Sequence, residues 1–384
     1  MVTALVKRFL LSCLLALSGS GGRAEPATPH PHPLHPPPAF VDSGQRLGAG
    51  SSWSVALGDL DGDGDLDALV TNEWKGTSAV WLNDGRARFS DSGQDLGQAF
   101  DGKLGDLDGD GDLDALVAVS RGDSQVWLND GRGRFQAGQR LEEGGGMALA
   151  LGDLDGDGDL DAMIGGPDRG TTVWLNDGGA RLTRTPQELG EPIIAGIVLA
   201  DVDADGDADA LVGGWGTPTR VWINDGRGTL VDSGAELTAA EVHVHGMAVG
   251  DLDGDGDPDA FMTVASLDDD EVWLNDGSGR FRNTGQPLVS PLGHAVAFGD
   301  LDGDGDLDAY VATGSPTDTG DRVWLNDGAG RFTDSGLRLG DVSSMGVALG
   351  DLDGDGDLDA FTANNTFGDH TVGCPNRVWL NQGG

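Results

Sequence analysis

Cysteine is almost missing from this chain of 384 residues, which holds only Cys13 and Cys374. Cys13 lies in an N-terminal stretch that reads as a removable leader, so one thiol remains and the mature chain can form no internal disulfide. Basic residues are also scarce, 23 Lys and Arg against 65 Asp and Glu, giving a formal net charge of −42. Such a chain repels phosphate backbones and anionic lipid, which argues against nucleic acid and acidic membrane surfaces as partners. Long apolar runs are lacking too. The one candidate, Phe9–Leu17 behind Lys7 and Arg8, is too short to insert across a bilayer. With Gly22-Arg23-Ala24 before Glu25, it has the pattern of a secretory signal over residues 1–24. No Gly-x-Ser-x-Gly context and no nucleophile–base set stands out, so catalysis has no sequence support and a non-catalytic protein is expected.

What is abundant is aspartate in a fixed pattern. Asp59-Leu60-Asp61-Gly62-Asp63-Gly64-Asp65-Leu66-Asp67 is the first of seven near-identical nonapeptides. The others start at Asp106, Asp153, Asp201, Asp251, Asp300 and Asp351, 47 to 51 residues apart. Carboxylates at alternate positions, with Gly at the sixth, suit a hard cation that takes six to eight oxygen ligands from a sharply turning loop. The expected ligands of a first Ca²⁺ are the side chains of Asp59, Asp61, Asp63 and Asp67 and the carbonyl of Asp65. The second loop offers Asp106, Asp108, Asp110, Asp112 and Asp114, and the third Asp153, Asp155, Asp157, Asp159 and Asp161. The fourth offers Asp201, Asp203, Asp205, Asp207 and Asp209, and the fifth Asp251, Asp253, Asp255, Asp257 and Asp259. The last two carry Asp300, Asp302, Asp304, Asp306 and Asp308, and Asp351, Asp353, Asp355, Asp357 and Asp359. Up to seven Ca²⁺ are thus expected. An EF-hand is excluded, because it needs a bidentate Glu at position 12, where these loops have Val70, Val117, Ile164, Val212, Met262, Val311 and Thr362. A Ca²⁺-binding β-roll is excluded because its nine-residue repeats are contiguous.

A repeat of this length is one supersecondary unit that must stack or close into a ring. In the first unit, apolar Ser54–Gly58 enters the loop and Asp67–Thr71 leaves it. Ala79–Asn83 and Arg88–Gln94 then flank an Asn-Asp-Gly hairpin signal. Four short antiparallel strands per unit are the pattern of a propeller blade, so the expected fold is an all-β, seven-bladed propeller over residues 40–384. Trp81, Trp127, Trp174, Trp222, Trp273, Trp324 and Trp379 recur at one place per unit and are expected to pack between blades. The seventh unit stops after its third strand, Arg377–Asn381, while Phe40-Val41-Asp42-Ser43-Gly44-Gln45 matches the missing fourth strand. An N-terminal strand completing the last blade would remove a sheet edge. Residues 25–39, rich in Pro and His, read as an extended linker.

These loops, each followed by an Asp-Ala-apolar strand, resemble the VCBS/FG-GAP repeat family, which includes the integrin α-subunit propellers. The resemblance covers residues 40–384. It implies a seven-bladed propeller, Ca²⁺ in the loops between first and second strands, and extracellular adhesion or ligand binding. Integrin propellers carry the loop in only some blades, whereas all seven units have it here. The Phe-Gly and Gly-Ala-Pro signatures are largely missing, so integrin-type heterodimers do not follow.

The face opposite the loops should receive the segments that vary between units. Trp53, Trp74 and Trp215, the three Trp outside the repeated series, fall on that side. His245 and His294 stand six residues before their Asp loops, in register with Trp53 and Phe100, so these four should ring the channel mouth. The two His could pair across adjacent blades as acid–base groups or metal ligands. Exposed aromatics beside polar loops suit an extracellular protein or glycan ligand. The expectation is a secreted, Ca²⁺-binding adhesion or ligand-binding module, with a lectin-like or polysaccharide-cleaving protein as the alternative. Arg121-Gly122-Asp123, in a loop between strands, is incidental in so Gly- and Asp-rich a chain.

Overall fold

The second strand of every unit carries an apolar stretch behind its leading Asp and is buried along its whole length, where a half-exposed strand would alternate. In the computed structural model, all six residues of Asp67–Asn72 are buried, as are all six of Asp209–Gly214 and of Asp308–Thr313. A strand buried on both faces needs a packed layer on each side, and the neighbouring sheets supply them. Twenty-eight strands form seven four-stranded antiparallel sheets, with no helix among the described residues. Those residues are 36–383, apart from 143–144, 192–193, 240–241, 265–268, 316–319 and 367–372. The expected signal segment and residues 25–35 of the linker lie outside them.

Each sheet is one blade, numbered here from the chain's start. The innermost strands are Ser52–Gly58, Asp101–Gly105, Ala148–Gly152, Ile194–Ala200, Val244–Gly250, Gly293–Gly299 and Ser343–Gly350, for blades 1 to 7. Blade 7 takes its outermost strand from the other end of the chain: Phe40, Val41 and Asp42 pair with Asn381, Leu380 and Trp379. The Phe40 ring packs edge-on against Tyr310, 5.8 Å between centroids. The ring of blades is therefore closed as the sequence pattern predicts, and blade 7 keeps no open edge there.

Apolar clusters span neighbouring blades. One joins Leu116, Val126 and Leu141 of blade 2 to Leu149, Ile164 and Trp174 of blade 3. Each repeated Trp belongs to or packs against such a cluster. Trp174, Trp324 and Trp379 are buried, whereas Trp81, Trp127, Trp222 and Trp273 are only half-buried. The fourth strand of blade 1 is shorter than the sequence suggests, Ser90–Asp91 in place of Arg88–Gln94. Beyond Asp91 the chain turns away: the Asp91 Oδ1 accepts from the Gly93 N–H at 2.7 Å, and Gln94 reaches out of the blade to its neighbour.

Candidate functional site

The loop after each innermost strand is held by its own aspartates. The Asp59 carboxylate accepts from the N–H groups of Gly62, 2.8 Å, and Gly64, 3.1 Å. Asp67, fully buried, accepts from Leu60 N–H at 3.0 Å and from Asn83 N–H at 2.7 Å. All seven ninth-position aspartates are equally buried. Burial pushes their carboxyls up, to about 6 in Asp67 and about 7 in Asp259, against the pull of those two backbone hydrogen bonds. The sixth-position Gly residues take φ of 94° to 99°, which side-chain-bearing residues avoid.

The donor set fits a divalent cation. Carboxylate oxygens of Asp59, Asp61 and Asp67 lie within 4.8 Å of one another, and the same holds in the loops led by Asp106, Asp153 and Asp201. In the fifth loop Asp251, Asp253 and Asp255 converge, and two more such groups exist. One oxygen each of Asp155, Asp203, Asp253 and Asp353, all at the third position, is buried without a hydrogen-bond partner. Converging carboxylates with a spare inward oxygen are what an oxygen-loving ion completes. The seventh-position side chain is occupied otherwise. A Cβ on Gly85 would stand 2.4 Å from the Asp65 carboxylate, so this side chain lies under its own blade's hairpin and leaves the carbonyl as the group available to an ion.

Asn83 is more than a turn residue. Its Nδ2 donates to Leu66 O of its own loop, 3.2 Å, and to Leu352 O of the preceding blade's loop, 2.9 Å. Asn129, Asn176, Asn224, Asn275, Asn326 and Asn381 each donate in the same way to the preceding blade, at 2.8 to 2.9 Å. Seven buried amides thus lace the seven loops into one ring. A second lacing uses Gln at the end of the outer strands: Gln187 Oε1 accepts from Leu230 N–H, 2.9 Å, and its Nε2 donates to Gly228 O, 2.6 Å, of the next blade. Gln45, Gln94, Gln139 and Gln286 do the same. Ala235 and Leu337 stand at the other two junctions, packed into apolar clusters.

At the opposite end of the innermost strands lies a cavity of about 200 Å³ lined by all seven blades. Trp53, Phe100, His245 and His294 line it, as the register predicts; Trp215 joins them and Trp74 does not. The five predicted ligand residues fall into two groups. Trp53 stacks on Phe100, centroids 4.3 Å apart, and Trp74 meets Trp53 edge-on at 5.2 Å. Trp74 is 45% exposed and has φ of 64°, a costly backbone for a bulky residue. Across the channel Trp215 lies against His245, 5.1 Å, and the His245 and His294 Nδ1 atoms are 2.8 Å apart. A shift of pairing register at Trp53, Ala195, His245, His294 and Met345 places two residues opposite one on the second strand, a bulge that no sequence pattern announces.

Comparison with known proteins now fits this geometry. The profile of the FG-GAP-like repeat matches residues 59–117, 106–164, 153–212, 201–262, 261–311 and 300–362. The chain belongs to the FG-GAP-like repeat family. Apart from the fifth match, which begins at 261 just past its loop, each match starts at an Asp loop and ends in the strand that follows the next loop. No curated protein sequence matches the chain. Among solved structures, an Agrocybe aegerita lectin, described as specifically recognising non-reducing terminal N-acetylglucosamine, is 20% identical with a TM-score of 0.52. That alignment covers 75% of this chain and 81% of the lectin. A chain of the mercury-soaked crystal of BBS1N in complex with ARL6DN is 11% identical with a TM-score of 0.63, over 90% of this chain and 97% of that one. The lead-soaked crystal gives 11% and 0.58, over 89% and 96%. At such identities the likeness is one of fold.

Proposed function

We propose that this FG-GAP propeller is a secreted, Ca²⁺-stabilised, non-catalytic module that binds an extracellular ligand at its channel mouth. The observation that carries the reading is Trp74. It is a large exposed aromatic, held in a strained left-handed backbone, and it extends the Trp53–Phe100 stack toward solvent. Strain of this kind, costing about 1–3 kcal/mol, persists where a side chain must be presented in one direction. An aromatic platform beside polar loops also suits the face of a sugar ring, and a lectin shares the fold, which favours a glycan over a protein as the ligand. Adhesion to a protein surface is the other form of the same reading. The N-terminal signal pattern supports export, and among the described residues no helix is long and apolar enough to cross a membrane.

Two measurements test it. The first removes the cation. Chelation should lower the melting temperature sharply and Ca²⁺ should restore it, since each occupied site adds about 2.7 kcal/mol at a hundredfold excess over Kd. Mg²⁺, which demands a tight octahedron, should restore little. Equal melts with chelator and with millimolar Ca²⁺ would remove calcium from the reading. The second screens glycans and extracellular proteins in Ca²⁺ with the native protein and with W53A/W74A. Saturable binding lost in the variant, with melting unchanged and no new reducing ends, supports a binding module. Ligand turnover, or binding indifferent to both Trp, overturns it.

A further inference from the structure

The bulges at His245 and His294 bring together two imidazoles that share no loop, hairpin or repeat role. They occupy the same position of the channel ring on adjacent blades, and their Nδ1 atoms are 2.8 Å apart with ring centroids at 4.5 Å. Two glycines make this approach possible. A Cβ on Gly246 would meet His294 O at 2.6 Å, so blades 5 and 6 could not close so tightly there with any other residue. A Cβ on Gly314 would stand 2.3 Å from the His294 ring, so that glycine leaves the space the ring fills. Met345 is the next residue around the ring, and its methyl group lies 3.5 Å from that same point. Trp215 of blade 4 lies against the His245 ring, and both His line the cavity.

The geometry points to a transition-metal site at His245 and His294, taking Cu²⁺ at the channel mouth, separate from the Asp loops. Two nitrogen donors, each about 2.0 Å from one ion, stand ~2.8 Å apart at a right angle and ~3.3 Å apart in a tetrahedron. The observed spacing is that of a square-planar pair, the preference of Cu²⁺, which also heads the affinity order for imidazole. Burial holds both imidazoles neutral, with pKa about 4 for His294 and about 2 for His245, which is lowered further by its His neighbours, so lone pairs are available at neutral pH. In the free pair one Nδ1–H donates to the other Nδ1. Copper bound to both moves that proton to the same ring's Nε2, with no net release. The remaining coordination positions open on the cavity, where water or an incoming ligand would fill them. The Asp loops begin six residues further along the same strands, ~20 Å away, and select oxygen-bound ions. The two metals therefore need not compete.

The test uses the full chain, Ca²⁺-loaded, with His30, His32, His35, His243 and His370 replaced by Ala, so that His245 and His294 are the only histidines. Titration with Cu²⁺ against glycine as competitor should give one copper per chain, with the magnetic resonance signature of two imidazole nitrogens. Excess Ca²⁺ should not displace it, and Zn²⁺ should bind more weakly. H245A and H294A should each weaken copper binding at least tenfold while Ca²⁺ content is kept. Should either variant fail to fold, the nitrogen count on the folded two-histidine protein decides alone. Copper bound with fewer than two nitrogens, or no uptake beyond that of H245A/H294A, would show that the pair is only an interblade hydrogen bond.

Discussion

Replacing Asn176 by Ala tests whether the amide lacing, and not the apolar core alone, holds the blades in register. Asn176 is 6% exposed, and its Nδ2 donates to Leu107 O at 2.8 Å and Leu160 O at 3.1 Å. The two carbonyls fare differently when it is removed. Leu107 O keeps the Ala180 N–H at 2.8 Å, whereas Leu160 O has no second donor among the described residues. Two neutral hydrogen bonds are worth ~1 kcal/mol each, and a buried carbonyl left unpaired costs about 1–3 kcal/mol, so the loss should be roughly 3 kcal/mol. With an unfolding entropy of ~0.7 kcal/mol/K for a domain of this size, the melting temperature should fall by about 4 °C. The assay is urea unfolding at fixed excess Ca²⁺, comparing midpoints at unchanged slope. Asn176→Asp keeps the shape but sets a charge against two carbonyl oxygens and should be at least as harmful. Arg181→Ala, on the exposed part of the same hairpin, should change stability by no more than about 0.5 kcal/mol. A loss below ~1 kcal/mol in N176A, or a native-like N176D, would refute the reasoning.

Two other perturbations follow from single positions. Ala204 stands where the other six loops have Gly and is held at φ of 61°; there Asp205 N–H, not the fourth-position N–H, donates to Asp201. Ala204→Gly should therefore stabilise the protein by about 1 kcal/mol and tighten the Ca²⁺ site of that loop, read by calorimetry; unchanged values would mean the fourth position is indifferent to backbone strain. Deleting residues 40–47 removes the outer strand of blade 7, the buried Leu47 and the Gln45 clasp on the blade 1 hairpin. Lowered melting and aggregation should follow, while deleting residues 25–35 should leave both unchanged; equal behaviour of the two truncations would mean that the strand does not close the ring in solution.

The blades and the loops were legible because each is written locally, and the closure because Phe40–Gln45 matches the fourth strand that the last unit lacks. Aspartates at alternate positions, a continuous apolar strand and a turn signal all lie within one unit, and seven copies repeat the statement. What escaped the reading is long-range. Asn83 looks like the first residue of an Asn-Asp-Gly turn, and that pattern carries no trace of a bond to Leu352, 269 positions away. The Gln clasps are hidden likewise, since Gln45 meets Phe89 across a blade boundary. The bulges at His245 and His294 depend on how two innermost strands pack, which Gly246 and Gly314 permit but do not announce. Sequence register placed both His at the channel mouth; only packing brought their nitrogens within 2.8 Å.

The repetition itself separates support from recognition. Every blade must bury a carboxylate, turn at φ near 95° and hand a carbonyl to the next Asn, so these residues recur seven times on the loop face. At the other end of the same strands no such common demand exists. The ring there reads Trp53, Phe100, Met147, Ala195, His245, His294 and Met345, seven positions with five residue types. A ring that only filled space around a seven-fold channel would be served by one apolar side chain repeated. A Trp pair in one sector and a His pair in another break that symmetry, and beside the Trp pair a left-handed Trp74 adds cost to the fold. Cost without repetition is what a binding face should show. Removing calcium should therefore weaken all seven blades together, whereas substitutions at Trp74 or His294 should change what the molecule binds and leave the ring standing.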